Sequence, residues 1–458
     1  MDDIITHCDI ILLKVNMANE KKYECLILGG GITGATILYV LSKYTNIKRI
    51  ALLEKYEKIG LVNTYAESNS QTLHFGDIET NYSLEKARVV KEAAEMMEKY
   101  LLQLNNSEGE FFIKSHKMVL GVGEREVGIL DKRFDDFKTL FPKIKKLNRE
   151  EIAALEPDIV KGRDSKEKIS AIYSPDGYAV DYGAVANSFI ERATKESGKE
   201  IDIFFDSKVE EINKNEIYEV ITNKMTFRGD VVISAMGAHS LLFAKALGYG
   251  KNFMILPVAG NFYCSTRKIL NGKVYTIQKE KLPFAAVHGD PNIHNQNETR
   301  FGPTAKVLPI LERRRLSTFK DFVKSAGIDF RSAISLFKIV FDKDILGFIG
   351  KNLVYDLPFI GERAFLQSVR KIAPSATIKD LQYGKGLGGI RPQLVDKINH
   401  KMLLGEAEII GNNIIFNITP SPGATAALKT AEVNAKRIVK FLGTNYKFDE
   451  ENFSRDFK

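Results

Sequence analysis

The sequence predicts an α/β fold in which a Rossmann-type dinucleotide-binding domain is interleaved with an α+β domain containing an antiparallel sheet. Three observations carry this. A buried strand, a glycine-rich turn, a helix and a second buried strand occupy residues 23–54. Several short strand-like runs follow one another between 255 and 304. Glycine-rich motifs return only late, at 386–392 and 419–425, so distant segments must complete the first domain.

The first element, Tyr23-Glu24-Cys25-Leu26-Ile27-Leu28, is a near-continuous apolar run, as a strand buried on both faces requires. Gly29-Gly30-Gly31-Ile32-Thr33-Gly34 follows, then helix-compatible apolar residues from Ala35 to Ser42, then the strand Arg49-Ile50-Ala51-Leu52-Leu53. Gly29 permits the tight turn, Gly31 lets backbone approach a pyrophosphate, and Gly34 lets the helix pack close to the strand. Ile32 and Thr33 stand at the helix start, where N–H groups and the positive dipole end meet an anion. Glu54 ends the second strand, where a carboxylate can accept hydrogen bonds from ribose hydroxyls and disfavours a 2′-phosphate.

This fingerprint alone fits NAD or FAD. A simple dehydrogenase continues at once into further βαβ units; here residues 60–80 form a loop, with Ser68-Asn69-Ser70-Gln71 and Leu73-His74-Phe75-Gly76-Asp77. Amphipathic stretches follow at 84–104 and 126–140, and Ser174–Asp181 reads as a turn before a capped helix at 182–197. Strands near 218–222 and 230–234 lead into Ala235-Met236-Gly237-Ala238, where Gly237 lets backbone approach a ligand. Strand-like runs stand at 261–264, 274–277, 284–288 and 299–301, and 305–380 reads as helical and basic. The expected division gives 23–100, 165–250 and 385–445 to the cofactor domain and 101–164 and 251–384 to the substrate domain. Tails of 1–22 and 446–458 flank them, and residues 1–16 read as a disordered tail or an upstream start.

Bulk composition narrows the class. At 458 residues the chain exceeds one ordinary core, and 44% hydrophobic with 27% charged residues is typical of a soluble globular protein. No stretch approaches the roughly 18–20 uncharged apolar residues of a membrane span. Cys8, Cys25 and Cys264 are scattered, which argues against a disulfide framework and a zinc site. The seven histidines form no helical ligand pair, so no metal is expected. The net charge of +8 permits attraction to anionic lipid or acidic substrates, while no nucleic-acid signature is present. A cytoplasmic setting fits best. Ile334, Phe337, Phe341, Ile345 and Phe348, with Lys338, Lys343 and Lys351 among them, read either as a core-packed helix or as a basic helix lying in a bilayer interface.

Four stretches together resemble a known family: Gly29–Gly34 with Glu54; Asn69-Ser70-Gln71-Thr72-Leu73-His74 with Glu79-Thr80-Asn81-Tyr82; Val287-His288-Gly289-Asp290 with Phe301-Gly302-Pro303-Thr304-Ala305; and Gly389-Ile390-Arg391-Pro392-Gln393 with Ser421-Pro422-Gly423-Ala424-Thr425. This order is similar to the FAD-dependent superfamily of D-amino-acid oxidase, glycine oxidase and L-2-hydroxyglutarate dehydrogenase. Within it, the chain resembles the malate:quinone oxidoreductases over nearly all of 23–442. Val287 stands where that family has proline, and Pro291 where it has arginine.

The resemblance implies FAD as cofactor, oxidation of L-malate to oxaloacetate, and electrons passed to a quinone, with peripheral contact at the inner face of the cytoplasmic membrane. Another 2-hydroxy or amino acid, such as L-2-hydroxyglutarate, and a non-catalytic binding scaffold are the alternatives. Oxidising a 2-hydroxy acid needs a base for the hydroxyl proton and a cation for the carboxylate. His288 is the candidate base, with Asp290 orienting it from the same strand face; His74 competes for that role. Both histidines also read as structural. Arg391 is the candidate carboxylate clamp, with Arg300 a weaker second that reads more readily as an exposed strand arginine. Gln71 is expected in the flavin or substrate pocket, Val209 near the adenine, and Gly389 close to the ligand. Backbone N–H groups of Ser421, Gly423, Ala424 and Thr425 are expected to face the reduced flavin ring.

Overall fold

The computed structural model describes residues 21–106, 109–196, 198–278, 286–326, 343–355, 357, 359–403, 407–418 and 422–458. Residues 1–20, the start of the expected 284–288 strand, and Ile334, Phe337 and Phe341 of the apolar stripe lie outside the described residues.

The first sheet is built around strand Lys22–Leu28, which pairs in parallel with Arg49–Leu53 on one side and Thr226–Ser234 on the other. Its full order is Ala407–Gly411, Ile414–Ile418, Thr226–Ser234, Lys22–Leu28, Arg49–Leu53, Glu200–Phe204. The hairpin Val209–Lys214 and Tyr218–Thr222 extends from Thr226–Ser234. Helix Ile32–Tyr44 crosses between the first two strands and is buried along nearly its whole length against the sheet and helices Tyr182–Thr194 and Ala427–Leu442. That burial explains the weak amphipathicity of its sequence: a helix covered all round has no polar face to show.

The second sheet has eight strands in the order Leu381–Tyr383, Tyr263–Ser265, Asn295–Gly302, His288–Asn292, Lys273–Thr276, Phe112–Val122, Ile169–Val180, Lys145–Leu147. Ser174–Asp181, read as a turn, is mostly strand: Ile169–Val180 runs through it and pairs antiparallel with Phe112–Val122, with a register shift at Ser115/Lys117. Long-range pairing overrides the local turn signal of Pro175-Asp176-Gly177. By hydrogen bonding, this strand therefore belongs with the segment 101–164, whose strand Phe112–Val122 in turn pairs with Lys273–Thr276. Asp181 does cap helix Tyr182–Thr194, accepting from the N–H of Gly183 and Ala184. A third, four-stranded sheet joins Lys306–Val307, Phe253–Ala259, Ile390–Asp396 and Lys401–Leu403.

The two faces of the eight-stranded sheet differ sharply, because alternate side chains point opposite ways. Met118, Leu120, Val274 and Phe301 pack on Phe365, Val369 and Ile372 of helix Ile360–Ile372. The opposite face carries Lys117, Lys273, Tyr275, His288, Asp290 and Arg300, all buried. Cross-strand register aligns them: Lys117 opposes Lys273, Tyr275 opposes His288, and Asp290 opposes Arg300. The loop before helix Leu84–Leu102 lies over this polar face. Asn69 O accepts from Arg300 Nη2, Thr72 Oγ1 from Lys273 Nζ, and Asp77 pairs with Lys117 at 2.8 Å. Among the described residues, no helix is long and apolar enough to cross a membrane.

Candidate active site

The glycine turn has the stereochemistry its sequence implied. Gly29 adopts φ +103°, and a Cβ there would lie 2.7 Å from the carbonyl oxygen of Ala235. A Cβ on Gly34 would stand 1.9 Å from the carbonyl oxygen of Gly29, so any side chain there forces the helix off the turn. Gly30 N–H donates to Glu54 Oε2 at 2.6 Å, and Tyr56 N–H to Oε1 at 3.0 Å. Burial nevertheless outweighs these bonds and raises the Glu54 carboxyl above its ordinary value, leaving a desolvated acceptor suited to ribose hydroxyl donors. No side chain caps helix Ile32–Tyr44 and no acid stands in its first turn, although Ile32 N–H donates to Thr64 Oγ1. An uncapped N-terminus with no competing carboxylate fits a pyrophosphate.

A cavity of about 980 Å³ begins at this cradle. Gly29, Gly31, Ile32, Thr33, Glu54, Val209 and Gly237 line it, as do Gly389, Gly423, Ala424 and Thr425. Gly34 stands behind the wall, where its role is helix packing. Ser421 lies outside the described residues. Gln71 is turned away from the cavity: its side chain donates to Ala66 O at 3.2 Å and accepts from Ile293 N–H at 3.0 Å, and its φ is +54°. A buried amide tying two loops together has no free polar atom for a cofactor. A turn–helix element that leaves N–H groups open, a buried acceptor at Glu54 and a continuous cavity together fit a dinucleotide bearing a further ring.

Thr72, His74 and Arg391 also line the cavity. Arg391 sits on strand Ile390–Asp396 opposite Val258, itself a wall residue. Asn63 fixes the preceding loop by donating to Ile390 O and accepting from Ile390 N–H. A Cβ on Gly389 would meet Ser68 O at 2.6 Å and Asn63 Oδ1 at 2.7 Å, so this loop can pass only as glycine. Burial lowers the Arg391 pKa, opposed by the nearby phenols of Tyr275 and Tyr82. Among the described residues no carboxylate pairs with it and no side-chain hydrogen bond satisfies it. A desolvated, unpaired guanidinium facing a cavity is a site for an anion.

The two candidate histidines are placed differently. His74 is a wall residue, and its Nδ1 lies 2.8 Å from Glu79 Oε1. Burial alone would raise Glu79, but the hydrogen bond and charge of His74, with Lys117 nearby, hold its carboxyl down at about 2. His288 does not line the cavity; it is 5% exposed and stacks on Tyr275 with ring centroids 4.5 Å apart. The Tyr275 hydroxyl lies 3.3 Å from Thr72 Oγ1, one layer behind the wall. Asp290 does share a strand face with His288. Their Nδ1 and Oδ2 are 2.7 Å apart, although the two atoms do not meet hydrogen-bond geometry. Burial opposes ionisation of Asp290, yet His288, Lys273 and Arg300 hold it at about 2.

Arg300 is not an exposed strand arginine. It is 2% exposed, tied to Asn69 O at 2.9 Å and stacked on Phe262, and it does not line the cavity. The sequence had singled out neither Glu79 nor Tyr275, Lys273 or Asn63 as site residues. Glu79 stood in a quoted motif, but a five-residue separation from His74 matches no regular periodicity. The others reach Thr72 and Ile390 beside the cavity through contacts across more than 200 residues.

Comparison with known proteins follows the same lines. Residues 24–437 match the model of the DAO family, described as FAD dependent oxidoreductase. The chain is 40% identical over 449 residues to a probable malate:quinone oxidoreductase of Campylobacter jejuni, covering 96% of this chain and 99% of that one. It is 37% identical to malate:quinone oxidoreductase of Helicobacter pylori, covering 95% and 98%. Among solved structures, glycine oxidase from Geobacillus kaustophilus superposes with a TM-score of 0.64 at 16% identity, covering 94% of this chain and 98% of that one. L-alpha-glycerophosphate oxidase from Mycoplasma pneumoniae, with FAD bound, gives 0.61 at 19% identity, covering 92% and 95%. FAD is the cofactor that this fold and this cradle take. The chain belongs to the FAD dependent oxidoreductase family and, within it, to the malate:quinone oxidoreductases.

Proposed function

We propose that the protein oxidises L-malate to oxaloacetate and passes the two electrons to a quinone in the membrane, acting from the inner face of the cytoplasmic membrane by peripheral contact. The observation that carries this reading is Arg391, an unpaired guanidinium on the wall of the cavity that begins at the Gly29–Gly34 cradle. When bound, FAD supplies the two-electron acceptor; the protein supplies position and charge.

Arg391 holds the carboxylate next to the hydroxyl-bearing carbon, and a bidentate grip fixes that carbon's orientation. The hydroxyl proton goes to a histidine. His74 is favoured over His288 for its place on the wall, and Glu79 engages its Nδ1, which leaves Nε2 to take the proton. His288 and Asp290 then act from behind. They hold Tyr275 against Thr72, and Asp290 balances Lys273 and Arg300. Gly423, Ala424 and Thr425, which line the cavity, would hold the ring end of FAD through backbone, and Val209 would pack at its adenine end. In chain terms, 23–100, 165–250 and 385–445 chiefly serve the cofactor, and 101–164 and 251–384 the substrate, with strand Ile169–Val180 belonging to the latter by pairing.

Steady-state reduction of a soluble quinone by L-malate, D-malate, L-lactate, L-2-hydroxyglutarate and D-alanine tests the assignment. Turnover with L-malate well above the others is expected. Preference for L-2-hydroxyglutarate or an amino acid would keep the flavoenzyme and discard the malate assignment.

A further inference from the structure

Helix Phe319–Ala326 turns an apolar stripe outward. Leu316, just before it, is 79% exposed, Phe319 is 49% and Val323 is 38% exposed, while Phe322 packs inward on the first sheet's core. Positions 316, 319 and 323 lie on one side of a helical path, so these are a single patch and not scattered surface residues. Around them Arg314, Arg315, Lys320 and Lys324 are exposed. The one acid of the helix, Asp321, is turned toward His239, 3.5 Å away on the cavity side. Arg313 likewise faces inward, to Asn261. Arg315 pairs with Glu312 at 3.7 Å and borders the cavity, so Arg314, Lys320 and Lys324 are the exposed cations that flank the apolar side chains.

A second exposed group adjoins it. Helix Phe319–Ala326 packs on strand Phe253–Ala259, and helix Lys343–Tyr355 packs on its neighbour Lys306–Val307, so both flank one edge of the four-stranded sheet. The second helix and its exit expose Leu353, Leu357 and Phe359, the last at 89% and with φ +64°. Pro303, Thr304 and Ala305, just before Lys306–Val307, line the cavity, so wall and patch are continuous in the chain.

We propose that this face docks on an anionic phospholipid bilayer: Leu316, Phe319 and Val323 enter the interface, and Arg314, Lys320 and Lys324 meet lipid phosphates. The proposal rests on the reading that the electron acceptor is a membrane quinone, and it names the surface that brings the cavity to it. Apolar side chains flanked by Arg314, Lys320 and Lys324 match an anionic lipid surface, the combination that an interfacial helix needs.

Flotation of the FAD-loaded full chain with vesicles is the test. Binding is expected to vesicles of equal phosphatidylcholine and phosphatidylglycerol, not to phosphatidylcholine alone, and is expected to weaken at about 0.5 M salt, where screening is short-ranged. Leu316→Ser/Phe319→Ser/Val323→Ser should lower partitioning roughly tenfold or more. Its malate turnover with a soluble quinone should be unchanged, and turnover with a long-chain quinone in vesicles should fall. Leu102→Ser, an exposed apolar residue on another helix, should float as wild type. A triple variant that floats normally would overturn the proposal. So would one that changes only self-association on size exclusion, which would give the face to a second copy. Wild type that turns over soluble quinone but never floats defeats the docking surface alone. Wild type that floats but turns over no quinone defeats the functional reading instead.

Discussion

His74 Nδ1 lies 2.8 Å from Glu79 Oε1, and His74 stands on the cavity wall, whereas the equally close pair of His288 and Asp290 lies behind it. Replacing His74 by Gln should keep FAD bound and lower turnover by roughly 10²–10⁴-fold, the usual worth of a positioned base. His288→Gln should cost less, through the packing of Tyr275. Steady-state kinetics with the flavin absorbance as loading control decides; the reverse ranking would return the base to His288.

Arg391→Met should leave the yellow colour intact and lower kcat/KM for the acid by roughly 10–100-fold, the value of about 1.5–3 kcal/mol for hydrogen bonds to a charged group. Arg391→Lys should recover only part, because an ammonium lacks the planar fork. Equal kcat/KM in all three proteins would remove the clamp.

Gly34→Ala should purify colourless or with sub-stoichiometric FAD, since its Cβ would overlap the Gly29 carbonyl oxygen, 1.9 Å away. Glu54→Gln should weaken FAD by roughly tenfold, as expected for one charge-assisted hydrogen bond exchanged for a neutral one. Titration of the apoprotein with FAD, followed by flavin fluorescence, measures both. Full occupancy of Gly34→Ala would contradict the packing argument.

Asp290 carries a pH prediction. Its carboxyl is held at about 2 in the fold, against an ordinary 3.8, by His288, Lys273 and Arg300 acting against burial. A depressed acid contributes stability that is present above its unfolded pKa and lost as the pH falls toward its folded one. The loss therefore falls between about pH 4 and pH 2. Asp290→Asn should be less stable at neutral pH, since it leaves Lys273 and Arg300 uncompensated, and its stability should fall less steeply across that window. Urea unfolding at several pH values measures the slope; parallel slopes would show that Asp290 is not the group that titrates.

Local features were legible in the sequence and long-range ones were not. The strand–turn–helix–strand unit at 22–54 could be read because each demand is met within a few residues: apolar runs, φ-permissive glycine at 29, and a small residue at 34. Arg391 was legible because Gly389 and Pro392 flank it. Strand Ile169–Val180 was missed because its Pro-Asp-Gly signals a turn, and only pairing with Phe112–Val122 overrides it. Arg300 looked exposed because nothing local shows that Asp290 lies opposite and that Asn69 and Phe262 cover it. Gln71 shared a motif with His74, yet its amide is consumed in holding two loops together.

The most direct test of the account is anaerobic mixing of the purified yellow protein with L-malate while the flavin band is followed, and then addition of a soluble quinone. Rapid bleaching by L-malate, not by D-malate or L-lactate, with colour restored by the quinone, is the predicted result. A flavin that stays oxidised in L-malate, or that bleaches but is not restored by the quinone, would contradict it.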